Sequence, residues 1–98
     1  MNFASASLQV VAGRWRVSGA LSMDTVEAVL AASTSIGLPE DGIVDLTAVD
    51  RVDSAGIALL LAWARRAASE SRKIAFTGIP ESMHSLASLY GVEELLVA

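Results

Sequence analysis

Ser54 is where this chain offers the most chemistry. It stands in Asp53-Ser54-Ala55-Gly56, directly ahead of a long apolar run. A hydroxyl in that position can accept a hydrogen bond from a free backbone N–H of the first helical turn, an N-cap worth about 1 kcal/mol. The same hydroxyl would sit at the positive end of a helix dipole, where free N–H groups favour an added phosphate. Asp50 and Asp53 lie close enough in sequence to repel that phosphate. The position is therefore electrostatically poised.

Other chemistry-bearing residues form no constellation. The single histidine, His84, has no readable Ser or Cys partner, and cysteine is absent, which removes disulfides, thiolate metal sites and thiol nucleophiles together. Gly13, Gly19 and Gly56 fit neither GxGxxG nor GxxxxGK[ST]. Asp50/Asp53 and Glu93/Glu94 read as solvated charge, and Arg65, Arg66, Arg72 and Lys73 as complements to the negative end of the helix before them. No catalytic residue, cofactor site or metal site is expected.

Seven Lys+Arg against eleven Asp+Glu leave a net charge of −4, with no basic footprint for nucleic acid. Hydrophobic residues make up 53% of the chain, enough for a packed core. The longest uncharged run in the central helix, Ala55 to Ala64, is far short of the ~20 residues that span a bilayer. No basic residue precedes Arg14, so the N-terminus lacks the charged start of a secretory signal. One cytoplasmic domain over residues 1–98, without direct membrane insertion, is the expectation.

The elements that must position Ser54 follow from periodicity. Leu8 to Val11 and Trp15 to Val17 predict a hairpin turning at Gly13. A helix capped by Ser22 or Asp24 carries the stripe Val26, Val29, Leu30 and Ser33, and the 37–39 segment ends it. Ile43 to Leu46 and Lys73 to Thr77 read as buried strands joined by a loop over 47–53 and a helix from about Ala55 to Glu70. Strand–helix–strand at this spacing favours a parallel crossover. Pro80 opens a third helix with Met83, Leu86, Ala87 and Tyr90 inward and Gly91 as its stop; 92–97 is a last apolar turn. The prediction is an α/β fold, order ββαβαβα, with a mixed four- to five-stranded sheet packed by helices.

The central helix is apolar on two sides. Ile57, Leu60, Leu61, Ala64 and Ala68 face the sheet, while Ala55, Leu59, Ala62 and Trp63 form a second strip. Either the 92–97 segment covers that strip or another protein docks there, with Trp63 as anchor. On the docking reading, Lys at Leu59 and Trp63 leaves the fold intact; unfolding would make the strip core. Exposed apolar surface without its partner could also pair two copies into a homodimer.

Val44 to Leu61, VDLTAVDRVDSAGIALLL, resembles the signature of STAS domains, the sulfate-transporter and anti-sigma-antagonist fold. The matching residues are Leu46-Thr47 and Asp53-Ser54-Ala55-Gly56-Ile57, and Val17-Ser18-Gly19-Ala20-Leu21 followed by Thr25 resembles the strand exit before the first STAS helix. The resemblance covers residues 7 to 97. It implies a non-catalytic regulatory protein, in one of two branches.

In the MlaB-like branch, a small subunit docks on the cytoplasmic ATPase of a phospholipid-transport ABC complex. This branch is favoured by Ala55 where antagonists often have a second Ser, by Ala58-Leu59-Leu60-Leu61, and by the segment from Leu86 to Leu96. In the other, an anti-sigma factor antagonist is phosphorylated at the hydroxyl matching Ser54 by its partner kinase. The partner surface expected from the resemblance and the helix pattern is Asp53, Ser54, Ala55, Gly56, Leu59 and Trp63, with Ser54 as the switch. The first branch also implies peripheral attachment at the inner membrane through the transporter complex.

Overall fold

Strict alternation at the start of the chain makes a hairpin with one dry and one wet face. Strand β1 (Ala6–Val11) pairs antiparallel with β2 (Arg14–Leu21), and the Ala12-Gly13 turn takes φ of +52° and +82°, the left-handed pair that follows the strand twist. The computed structural model describes residues 5–96. The remaining elements are α1 (Val26–Thr34), β3 (Ile43–Val52), α2 (Ser54–Ser69), β4 (Ala75–Thr77), α3 (Glu81–Leu89) and a 3-10 turn, Glu93–Leu96. Val97, part of the expected terminal turn, lies outside the described residues.

The sheet has four strands in the order β1-β2-β3-β4, with β2/β3 and β3/β4 parallel. The α/β class and mixed sheet are as expected; the strand limits are not. β3 runs on through 47–52, where a loop was predicted. Two irregularities against β2 explain the misleading composition. Leu46 and Thr47 together oppose Val17, and Asp50 is unmatched between Gly19 and Ala20. These bulges turn Thr47, Ala48, Asp50 and Arg51 outward, so a genuine strand carries the polar residues of a loop.

One face of the sheet holds the core. Trp15, Val17, Leu21, Val44, Leu46, Val49 and Phe76 pack against Val29, Ile57, Leu60, Met83, Ala87 and Leu96. The opposite face is polar. There Arg16 pairs with Asp45 at 3.6 Å, and Ser7 meets Ser18 at 2.6 Å. Asp45 Oδ1 also accepts from the Thr47 N–H and hydroxyl, at 2.9 and 2.6 Å, which braces the first bulge. Those two hydrogen bonds, helped by Arg16 and Arg14, hold the Asp45 carboxyl below the ordinary carboxylate range despite partial burial.

The second strip of the central helix needs correction. Leu59 is 3% exposed and Trp63 is fully buried, so Trp63 offers no docking surface and Leu59 reaches only the lining of an apolar groove beside Ala55 and Ala62. What covers Trp63 is α1: its indole N–H donates to Ser33 Oγ at 2.9 Å, and its ring meets Trp15 edge-on with centroids 5.3 Å apart. Leu59 joins the same core. The buried arc of α2 is centred on Leu60, Trp63 and Ala67, leaving Ala68 exposed and Leu61 and Ala64 at its margins. Val92 and, from the 3-10 turn, Leu96 pack instead against the far side of that arc.

The cationic cluster is also more than solvated charge. Arg66 donates to the carbonyls of Ser33 and Ile36, both at 2.7 Å, pairs with Glu70 and lies 5.8 Å over the Trp15 ring. Arg72 donates to the Pro39 carbonyl at 2.7 Å. Together they tie carbonyls at the end of α1 and in the following segment to α2 and its exit, where cations complement the negative dipole end.

Candidate functional site

The site lies where β2 and β3 end and α2 begins. Asp53, in extended conformation, is the N-cap of α2 in place of Ser54: its Oδ1 accepts from the Ala55 N–H at 2.8 Å. Its Oδ2 accepts from the Met23 N–H at 3.0 Å, and its own N–H donates to the Leu21 carbonyl. One side chain thus caps the helix and clamps the turn that leads into α1. Carboxylate accepts more strongly than hydroxyl at a positive helix end, so Ser54 is released into the first turn, exposed.

The other half of the rim is built by Thr25. Neither Ser22 nor Asp24 caps α1; the buried Thr25 hydroxyl donates to the Ala20 carbonyl at 2.5 Å and accepts from the Ser22 N–H at 3.0 Å. Gly56 fixes the separation between the two halves. A Cβ there would stand 2.9 Å from the Leu21 carbonyl oxygen and 3.0 Å from a Val52 methyl. The Asp-Ser-x-Gly element therefore decomposes into a clamp, a free hydroxyl, a small residue and a close approach.

Outward from Ser54 the helix presents a ridge of Ser54, Ala58, Leu61 and Arg65, spaced i, i+4, i+7 and i+11. Ser54, Ala58 and Arg65 are exposed, with Leu61 half-buried. An apolar groove of about 300 Å³ runs along one flank, lined by Val26, Leu30, Ala55 and Ala62 among others. A second, of about 230 Å³, lies along the other, between Ser54, Ala58, Leu61, Tyr90 and Val92. Sequence reasoning missed this ridge because it placed Leu61 in the core and Leu59 outside. The available signal was phase: centring the buried arc on Trp63 puts the ridge opposite.

Beside the ridge a cleft of about 310 Å³ is lined by Ser22, Asp24, Arg51, Val52 and Asp53. Asp24, Asp50 and Arg51 are exposed on this rim, so its charge is predominantly acidic. Of the predicted site residues, the structure brings together Asp53, Ser54, Ala55 and Gly56; Leu59, though almost wholly buried, shares a groove with Ala55, and Trp63 lies in the core. His84 is exposed on α3. Among the described residues there is no group of side chains that could hold a metal ion, and no helix long and apolar enough to cross a membrane.

No curated protein matches this chain. A family model does, and its description is "Mlab, STAS domain", matching residues 4–98. STAS domains are generally interaction modules without catalytic machinery of their own, which is the kind of role this rim can serve. With nearly its whole length matched, and with the clamp, hydroxyl and close-approach glycine in place at the head of α2, the chain belongs to the STAS domain family.

Proposed function

We propose that this protein is a non-catalytic adaptor that docks on a partner protein through the Ser54 end of α2, and that the partner is the cytoplasmic ATPase subunit of an MlaB-type phospholipid-transport ABC complex. The observation that supports the reading best is the free Ser54 hydroxyl on a ridge flanked by two apolar grooves. Small side chains at Ala55, Ala58 and Ala62 let another backbone come close, and apolar groove walls supply burial once water is displaced. In this reading Ser54, Ala58 and Leu61 contact the ATPase and stabilise its active assembly, while ATP hydrolysis belongs to the ATPase. The adaptor is held at the membrane surface by that complex.

The test is co-purification with the ATPase subunit. Ser54→Arg and Ser54→Glu are expected to abolish it while the circular dichroism spectrum stays unchanged. Retained co-purification by both variants would overturn the reading.

A second reading is favoured by the same hydroxyl. Because Asp53 supplies the cap, Ser54 is free to accept a phosphoryl group, as an anti-sigma factor antagonist does from its switch kinase. Mass spectrometry after incubation with such a kinase and ATP separates the two: phosphate on Ser54 supports the antagonist, and an unmodified chain supports the transporter adaptor.

A further inference from the structure

The two edges of the sheet are guarded very differently. β4 is three residues long and lies between Arg72-Lys73 and Gly78-Ile79-Pro80, the short, charged and proline-flanked form that resists pairing. β1 is twice that length, ASLQVV, with no charge, proline or glycine, and its register with β2 is unbroken. No other described strand pairs with it.

Its polar groups and side chains can be placed by alternation. The Ser5 carbonyl accepts from the Ala20 N–H at 2.8 Å, so odd-numbered residues of β1 address β2. The N–H and C=O of Ala6, Leu8 and Val10 therefore point away from the sheet. These are also the residues whose side chains lie on the core side, opposite Gly19, Val17 and Trp15, and Val10 is 60% exposed there.

We infer that β1 is the seam of a reversible, two-fold symmetric dimer, its free edge pairing antiparallel with β1 of a second copy. In the register centred on Leu8, Leu8 meets Leu8 of the second copy and Ala6 meets Val10. Outward-facing groups meet outward-facing groups, apolar side chains stay on the helix side, and Ser7 meets Gln9 on the polar side. The strand carries no charge, so no like charges oppose each other between the paired strands, and each Val10 gains an apolar neighbour. A neighbouring cleft of about 260 Å³ continues that side, its lining apolar at Val10, Trp15, Ile36 and Leu38 and acidic at Glu40. A seam of this length buries less than the ~1,200 Å² of a stable complex, so the dimer is weak and concentration-dependent. The seam excludes Ser54 and Ala58, so each copy keeps its ridge available.

Sedimentation equilibrium on the full chain up to millimolar concentration, paired with amide hydrogen exchange, tests this. A reversible dimer is expected, with exchange at Ala6, Leu8 and Val10 slowing as concentration rises and the exposed ridge of α2 unaffected. Val10→Pro removes an outward N–H without breaking a bond to β2, and Val10→Lys adds like charge to the seam. Each is expected to weaken association roughly tenfold or more, with the fold retained by circular dichroism. If Val10→Pro disturbs the hairpin, Val10→Lys decides alone. A monomer at every concentration, a dimer of undiminished strength in folded Val10→Lys, or protection confined to α2 would overturn the inference.

Discussion

The two ends of α2 carry similar apolar residues and opposite arrangements. Toward its C-terminus, Trp63 and Arg66 are bound from several sides: an indole N–H to Ser33, a guanidinium to two carbonyls of the α1 exit, and the Trp15 ring edge-on to Trp63. At its N-terminus the bonds run through Asp53 and the close contact through Gly56, while Ser54 makes room for something else. The difference teaches that the apolar character of a helix does not locate its free surface. A tryptophan is as good an anchor inside a domain as between two, and here α1 reaches it first.

Substitutions at the two ends should separate these tasks. Among single substitutions the largest effect is expected for Trp63→Ala, which removes a fully buried ring and its hydrogen bond and should lower stability by about 3–5 kcal/mol in chemical denaturation. Lysine at Leu59 and Trp63 together should unfold the chain; a folded, partner-deficient double variant would restore the strip as a docking surface. Arg66→Ala strips two carbonyls of a charged donor and should cost about 2 kcal/mol by the same measurement. Gly56→Ala should cost about 1–3 kcal/mol, because its Cβ meets backbone at Leu21 rather than a side chain that can swing away.

Asp45→Asn should have the smallest effect, and one that depends on pH. The folded carboxyl is held below its unfolded value, so its contribution is present in full above pH ~4 and fades as pH falls through the lowered folded value. The variant should therefore be less stable than the parent at neutral pH, with the gap narrowing in acid. Thermal midpoints at neutral pH and in a series below pH ~4 check this; a gap that widens in acid would mean the Thr47 bonds do not favour the charged form.

The order of elements, the parallel pairing of β3 with β4, and the place where α2 begins were all legible, because apolar periodicity and the Asp53-Ser54-Ala55-Gly56 spacing report directly on local geometry. The second half of β3 was not: its bulges make Asp50 and Arg51 look like loop residues, and bulges depend on what β2 offers across the ladder. The cap of α2 is Asp53 and not Ser54: both are good caps, and the stronger carboxylate acceptor together with the Met23 contact favours Asp53. The sequence shows Arg66 only as a complement to the helix end, because its carbonyl acceptors are 33 and 30 residues away. Covering of Trp63 by α1 was likewise a tertiary fact, invisible to the period of either helix.

The most direct test places Ser54→Arg in a calorimetric titration against the purified ATPase subunit proposed as the partner, with the unfolding midpoint taken on the same sample. The division of labour along α2 predicts an unshifted midpoint and no measurable binding. Binding at parental strength, or a midpoint that collapses as it would for a core residue, would contradict it.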